Sequence, residues 1–261
     1  MDAMTMRKTF VALASATTVA VGAFTSAGAA ELLAHRAVYE MSLGENDQQT
    51  GLLDVRGGLL LEVEDRCETW TVRQKLAMQV TRDDGVFSTT STFDSYEAKD
   101  GTWYRFDDET FHEPGRHEVS SGEATVADET RSGRIAIEDP EPSRHNMPDE
   151  AMFPMVHMVD LLERAADGER FMSHIVFDGT EGAVVYDITT LVGQPVESNG
   201  MNAWPMHLAF FEHEGTEDQP TVEISVLLRD DGVAEEITYD YGDFSIELAM
   251  LEFEEIAGSG C

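Results

Sequence analysis

Between Ala37 and Phe253 the apolar side chains recur mainly at every second residue, and that period limits what this chain can fold into. Alternate side chains of a strand point to opposite faces, so a chain patterned this way buries one face of a sheet and wets the other. Residues 37–41 open as a strand, and residues 59–63 form another before an acidic turn at Cys67. Residues 70–76 alternate apolar with polar, and Asp83-Asp84-Gly85 turns them into residues 86–93, rich in Thr and Ser and so better suited to a strand than a helix. Lys99-Asp100-Gly101 is a hairpin signal ahead of Trp103-Tyr104-Arg105-Phe106. Short strands are predicted over 123–127 and 134–137, with Ser132-Gly133 turning between them.

Pro142 and Pro148 frame a predicted loop, after which residues 152–166 read at helical spacing. Met155, Met158, Val159 and Leu162 share one face, Pro154 suits the first turn, and Gly168 the end. Strands then resume over 171–177, 184–188, 208–211, 221–228, 233–241 and 244–253. Many antiparallel strands with a single mid-chain helix read as a mostly β fold, one closed or strongly curved sheet. No linker or fixed repeat divides it, so residues 31–261 are expected to form one domain.

The first 30 residues obey different rules. Arg7 and Lys8 precede an uncharged run from Phe10 to Phe24, and Ala27-Gly28-Ala29 supplies a small-x-small cleavage site. Residues 1–30 are therefore read as a signal peptide that is cut off after export, with no lipobox cysteine and no stable membrane anchor left behind. Removing Arg7, Lys8 and Asp2 with this segment leaves 15 basic against 50 acidic side chains, a net charge of −35, with Lys75 and Lys99 the remaining lysines. Such a surface repels nucleic acid and anionic phospholipid. Dense carboxylates also suit a solvated surface in salty surroundings, where charge is strongly screened.

Two cysteines, Cys67 and Cys261, fit export to an oxidising compartment, where an even count favours a disulfide. A reactive thiol or metal pair would need Cys-x-x-Cys spacing or nearby basic residues, and neither is present. A bridge closing about 195 residues would restrict the unfolded chain by roughly 5 kcal/mol in the loop-entropy model.

Catalytic patterns are missing. His112 and His117 flank Pro114-Gly115 and are five apart, so they cannot share a helical face as a zinc-protease pair does. His207 and His213 are expected on one side of a strand but lack a third ligand, so no metal site is assigned. Ser121-Gly122 lacks the nucleophile elbow, and the Asp-Asp-Gly turns at Asp83 and Asp230 lack the alternating ligands of a calcium loop. No catalytic residue and no cofactor are assigned. Trp70, Trp103, Trp204, Phe210 and Phe211 could line the concave face of a curved sheet, although aromatics mostly serve packing. A cavity capped by a Met-rich helix would suit a lipid or lipopeptide carrier.

Several segments, in order, resemble the EipB family of periplasmic proteins needed for cell-envelope integrity in Gram-negative bacteria. They are Ala34-His35-Arg36-Ala37-Val38-Tyr39, Cys67-Glu68 with Trp70, Lys99-Asp100-Gly101 with Tyr104-Arg105-Phe106, and Phe153-Pro154 with His157. Phe177-Asp178-Gly179, Tyr239-Asp240-Tyr241-Gly242-Asp243-Phe244 and the terminal Cys261 complete the set. Thr69 stands where the family usually has Gly. The resemblance implies a single β-spiral domain over residues 31–261 and a bridge between Cys67 and Cys261, and it carries no catalytic residues. The function expected is that of a non-enzymatic, monomeric periplasmic protein supporting envelope integrity. Its partner would be an envelope lipid, a lipopeptide or a periplasmic protein. The alternative is an exported hydrolase acting on an envelope component.

Cys67→Ser, or reduction, is expected to lower the melting temperature and expose the C-terminal amides to hydrogen exchange. An identical melt with and without reductant would show that the bridge is absent or without effect.

Overall fold

Strands dominate because the period-two pattern persists through nearly every segment between turns. The computed structural model describes residues 32–47, 50–127 and 133–258. The expected signal peptide, and Cys261 with the bridge assigned to it, lie outside these residues. The first half holds β1 (His35–Asn46), β2 (Leu52–Asp65), β3 (Thr69–Arg82), β4 (Gly85–Ala98), β5 (Trp103–Glu113), β6 (Arg116–Val126), β7 (Gly133–Asp139) and β8 (Ser143–Met147). The helix α1 (Pro154–Ala166) follows. The second half holds β9 (Phe171–Val176), β10 (Tyr186–Val192), β11 (Val196–Ser198), β12 (Met201–Glu212), β13 (Val222–Arg229), β14 (Ala234–Asp240) and β15 (Phe244–Glu255).

These strands make a single antiparallel sheet in the order β8-β7-β6-β5-β4-β3-β2-β1-β15-β14-β13-β12-β10-β9, with β11 paired to β12 off this path. Each half of the chain is a meander, and the two halves join where the first strand pairs with the last. His35 faces Glu255 and Met41 faces Leu248 across that junction, with bulges after Val38 and Leu43. On the outer face Arg36 reaches Glu62 of β2 at 2.7 Å and Glu254 of β15 at 3.4 Å, spanning three strands.

A sheet this wide must twist and curl. Its two ends meet through the segment after β8: the Met152 amide donates to the Ile175 carbonyl at 2.9 Å, and the Phe177 amide to the Met152 carbonyl at 3.0 Å. Tyr104 Oη donates to the Asp178 carbonyl at 2.7 Å across the same seam. Tyr104, Phe106, Phe153 and Phe177 pack there as one aromatic cluster.

The β2 and β3 backbones approach closely at Gly57, which faces Met78. A methyl group added at Gly57 would overlap the Ala77 carbonyl oxygen, so only glycine permits this approach.

The structure revises three expectations. Residues 143–147, expected as loop, form the edge strand β8, with Pro142 and Pro148 just outside it, where a missing N–H costs no ladder bond. The helix begins at Pro154 rather than Met152. Its buried set is Met155, His157, Leu161, Leu162 and Ala165, while Met158 and Val159 are only partly buried. An α-helix held inside a curved sheet is contacted on more than one stripe, so its burial outruns the amphipathic face read from sequence.

Gly57→Ala is expected to force β2 and β3 apart and destabilise the domain by about 1–3 kcal/mol, read as a lower urea midpoint. Substitution at Gly182, whose added methyl meets no atom within 4 Å but whose φ is +66°, should act through backbone strain alone.

Candidate functional site

Register decides which side chains share the inside of the curl. On β3 the even-numbered residues Trp70, Val72, Leu76, Met78 and Val80 face inward, because Trp70 and Val72 pack in the core around α1. Cross-strand pairing carries that face to Tyr104 and Phe106 on β5, and to Val63 and Leu59 on β2.

The helix fills one half of this interior. Its first turn has no local cap, since Phe153 at the N-cap position offers no side-chain acceptor. Glu97 of β4 does that work from across the core: its Oε2 accepts from the Met155 amide at 2.8 Å and its Oε1 from the Val156 amide at 2.7 Å. A carboxylate at a helix N-terminus meets both the orphan amides and the positive end of the dipole. Glu97 is 1% exposed. Burial pushes its carboxyl up to about 7, against the pull of the two amide hydrogen bonds.

One turn further, His157 is buried and its Nε2 finds no protein partner. Burial drives its imidazole down to about 3, and the neighbouring His174 adds to the shift. The two rings meet edge to face at 4.9 Å, and His174 Nε2 lies 2.8 Å from Asp160 Oδ2.

The other half of the interior is not filled by α1. Leu76, Met78 and Val80 of β3, Ile237 and Tyr239 of β14, and Phe244 of β15 pack around buried Tyr39, Leu59 and Ile246 yet stay partly exposed. They form a continuous apolar wall over five neighbouring strands, β14-β15-β1-β2-β3. At β4 the chemistry changes within one strand step: Leu76 faces Ser91, and Met78 faces Thr89. Asp108, Thr110 and His112 of β5 and Glu118 of β6 continue that polar wall. Ser91 Oγ donates to Asp108 Oδ1 at 3.0 Å, Thr89 Oγ1 lies 3.0 Å from His112 Nδ1, and His112 Nε2 lies 3.3 Å from Glu118 Oε2. A cleft of about 900 Å³, lined by Phe87, Phe111, His112 and Arg116 among others, opens between the hairpin tips at the end of this wall.

Of the five aromatics considered from sequence, Trp70 and Trp204 lie on the inner face but are buried against α1, with Phe210 partly buried beside them. Trp103 and Phe211 neighbour Tyr104 and Phe210 along their strands and so point to the outer face; Trp103 is 38% exposed. The accessible inner surface is formed instead by Leu76, Met78, Val80 and Ile237 with Tyr239 and Phe244, and the parity of Leu76, Met78 and Val80 with Trp70 is the signal for its β3 part.

The histidine pairs separate. His112 faces inward, whereas His117 is on the outer face, stacked on Phe111 at 4.2 Å. His213 falls just beyond the end of β12 and bonds Asp187 at 3.0 Å, while His207 within β12 bonds Ser225 at 3.0 Å. Among the described residues no group of three or more His, Cys, Asp or Glu side chains is placed to hold a metal ion. Cys67 sits at the β2–β3 turn with φ +64°, its amide donating to Asp65 Oδ1 at 2.9 Å.

The two buried groups beside the helix titrate in opposite senses. Glu97, raised from 4.5 to about 7, contributes stability that is present below pH 4.5 and lost as pH rises through 7. His157, lowered from 6.5 to about 3, contributes stability that is present above pH 6.5 and lost as pH falls through 3. Wild type is therefore expected to weaken relative to Glu97→Gln between pH 4.5 and 7, by on the order of 3 kcal/mol. Relative to His157→Leu it should weaken in the opposite direction, between pH 6.5 and 3. Urea midpoints measured across pH check both slopes.

The chain is similar in sequence and fold to known proteins. The EipB-like family matches residues 26–257. The cell envelope integrity protein EipB of Brucella abortus (strain 2308) is 27% identical over 252 residues, covering 89% of this chain and 88% of that protein. The crystal structure of a β-barrel-like protein of a domain of unknown function, also from Brucella abortus, superposes with a TM-score of 0.82 at 24% identity. It covers 87% of this chain and 99% of that one, a likeness of fold. By sequence over nearly its whole length, this chain belongs to the EipB-like family.

Proposed function

We propose that this protein works in the periplasm as a non-enzymatic, monomeric support of envelope integrity. In this reading its inner trough holds the acyl part of an envelope lipid or lipopeptide. The observation that carries it is the apolar wall of Leu76, Met78, Val80, Ile237, Tyr239 and Phe244, which faces inward yet stays partly exposed. An inward apolar surface that the protein's own side chains do not fill gains free energy when an acyl chain covers it, at about 25 cal/mol per Å². The name of the Brucella relative, a cell envelope integrity protein, supports the envelope role. So does the export signal read in residues 1–30. Among the described residues no helix is long and apolar enough to cross a membrane. The pairing of Cys67 with Cys261 belongs to the same proposal, as a tie holding the end of the chain against the β2–β3 turn.

Met78→Asp places a charge on the apolar wall, and is expected to abolish lipid recovered with protein purified from its native envelope. Wild type should yield bound lipid by mass spectrometry of an organic extract. Lipid-free wild type would remove the carrier reading. Unchanged sensitivity of a deletion strain to detergents and cell-wall antibiotics would count against the envelope role.

A further inference from the structure

We propose that the amphiphile taken by the trough carries a protonated amine in its headgroup and has no net negative charge. This rests on the lipid-binding reading above and adds what the headgroup must be.

The two walls share one surface. An acyl chain lying on Leu76 and Met78 has Ser91 and Thr89 as its next neighbours, one strand away. Adjacent strands are separated by about 4.8 Å. A headgroup displaced sideways by two or three strands therefore lands on Asp108, His112 and Glu118. This direction is fixed by the sheet, because the opposite side of the apolar wall continues apolar into β14.

The polar wall has a definite sign. Asp108 and Glu118 put two carboxylates on it, and Ser91, Thr89 and Thr110 surround them with hydroxyls. Among the described residues of β4–β6, the strong base on this face is Arg116 at the rim, and it is paired with Glu118. A phosphate or sulfate headgroup would meet Asp108 with no unpaired cation beside it among the described residues of β4–β6, inside a protein of net charge −34. An ammonium finds the Asp108 carboxylate, the Glu118 carboxylate that it would share with Arg116 and His112, and several hydroxyl acceptors within the span of two strands. Charge complementarity of this kind sets selectivity more than gross affinity.

The cleft beside Phe87, Phe111 and His112 gives the headgroup a way in at the end of the same wall. Both carboxylates are partly exposed, so they remain available to a ligand while hydrogen-bonded to their neighbours.

The test uses three probes with one twelve-carbon chain: dodecylammonium, dodecyl maltoside and dodecyl sulfate. Each is kept below its micelle concentration and displaces 1-N-phenylnaphthylamine from the mature protein. Salt of about 150 mM screens the general surface charge beyond about 8 Å. Dodecylammonium should displace the dye at roughly tenfold lower concentration than the maltoside, and dodecyl sulfate should be the weakest. Asp108→Asn with Glu118→Gln should erase the ammonium advantage, bringing the dodecylammonium and maltoside curves together. Asp108→Glu with Glu118→Asp, which keeps both charges, should retain the advantage and guards against misfolding as the cause.

An ammonium advantage that survives the neutral double variant would assign it to the acidic surface at large and overturn the proposal. Dodecyl sulfate binding as well as dodecylammonium would overturn it too. Failure of all three probes, the maltoside included, would instead sink the lipid-binding reading on which it rests.

Discussion

The pairing of β1 with β15 holds this architecture together. Each half of the chain alone is a meander with two open edges, and an open edge invites pairing with any other strand. Joining the first strand to the last turns two half-sheets into one sheet broad enough to curl. The bulges after Val38 and Leu43 allow twelve-residue strands to stay paired while the sheet bends. Arg36, bridging β2 and β15 on the outer face, sits on the same junction. Being half exposed, it contributes far less than the ladder of backbone bonds beneath it.

Curling the sheet creates an interior, and the helix decides how much of it remains. The α1 segment occupies one half because Glu97 supplies from β4 the cap that the helix lacks locally. The cost is a buried carboxyl whose charge is resisted by its surroundings. His157 and His174 repeat the pattern on the next turn, polar groups placed where packing alone would ask for apolar ones. The other half keeps an apolar wall beside a polar one.

Much of this was legible in the sequence. The alternation over β3 and the turn signals at Asp83-Asp84-Gly85 and Lys99-Asp100-Gly101 placed their strands correctly, since both are local properties of the backbone. Residues 143–147 read as loop because of their flanking prolines, until β7 lies alongside to show an edge. The helical spacing of α1 is legible, but the burial of His157 and Leu161 is not. Sequence periodicity reports one stripe, whereas an interior contacts the helix from several directions. Trp103 and Phe211 looked like cavity residues by type. Their parity relative to Tyr104 and Phe210 sends them outside, and parity is fixed only once a core partner shows which face is inward.

A mostly β, antiparallel, single sheet with one mid-chain helix, and an overwhelmingly negative charge, can be read from the order of the residues. These follow from spacing and composition, which act locally or by simple summation. That Leu76 and Met78 share an inward face with Asp108 and Glu118, two and three strands away, and that Glu97 caps a helix 58 residues further along, emerges only on folding. Such juxtapositions depend on register between distant strands, and register is set by the cooperative burial of a whole face.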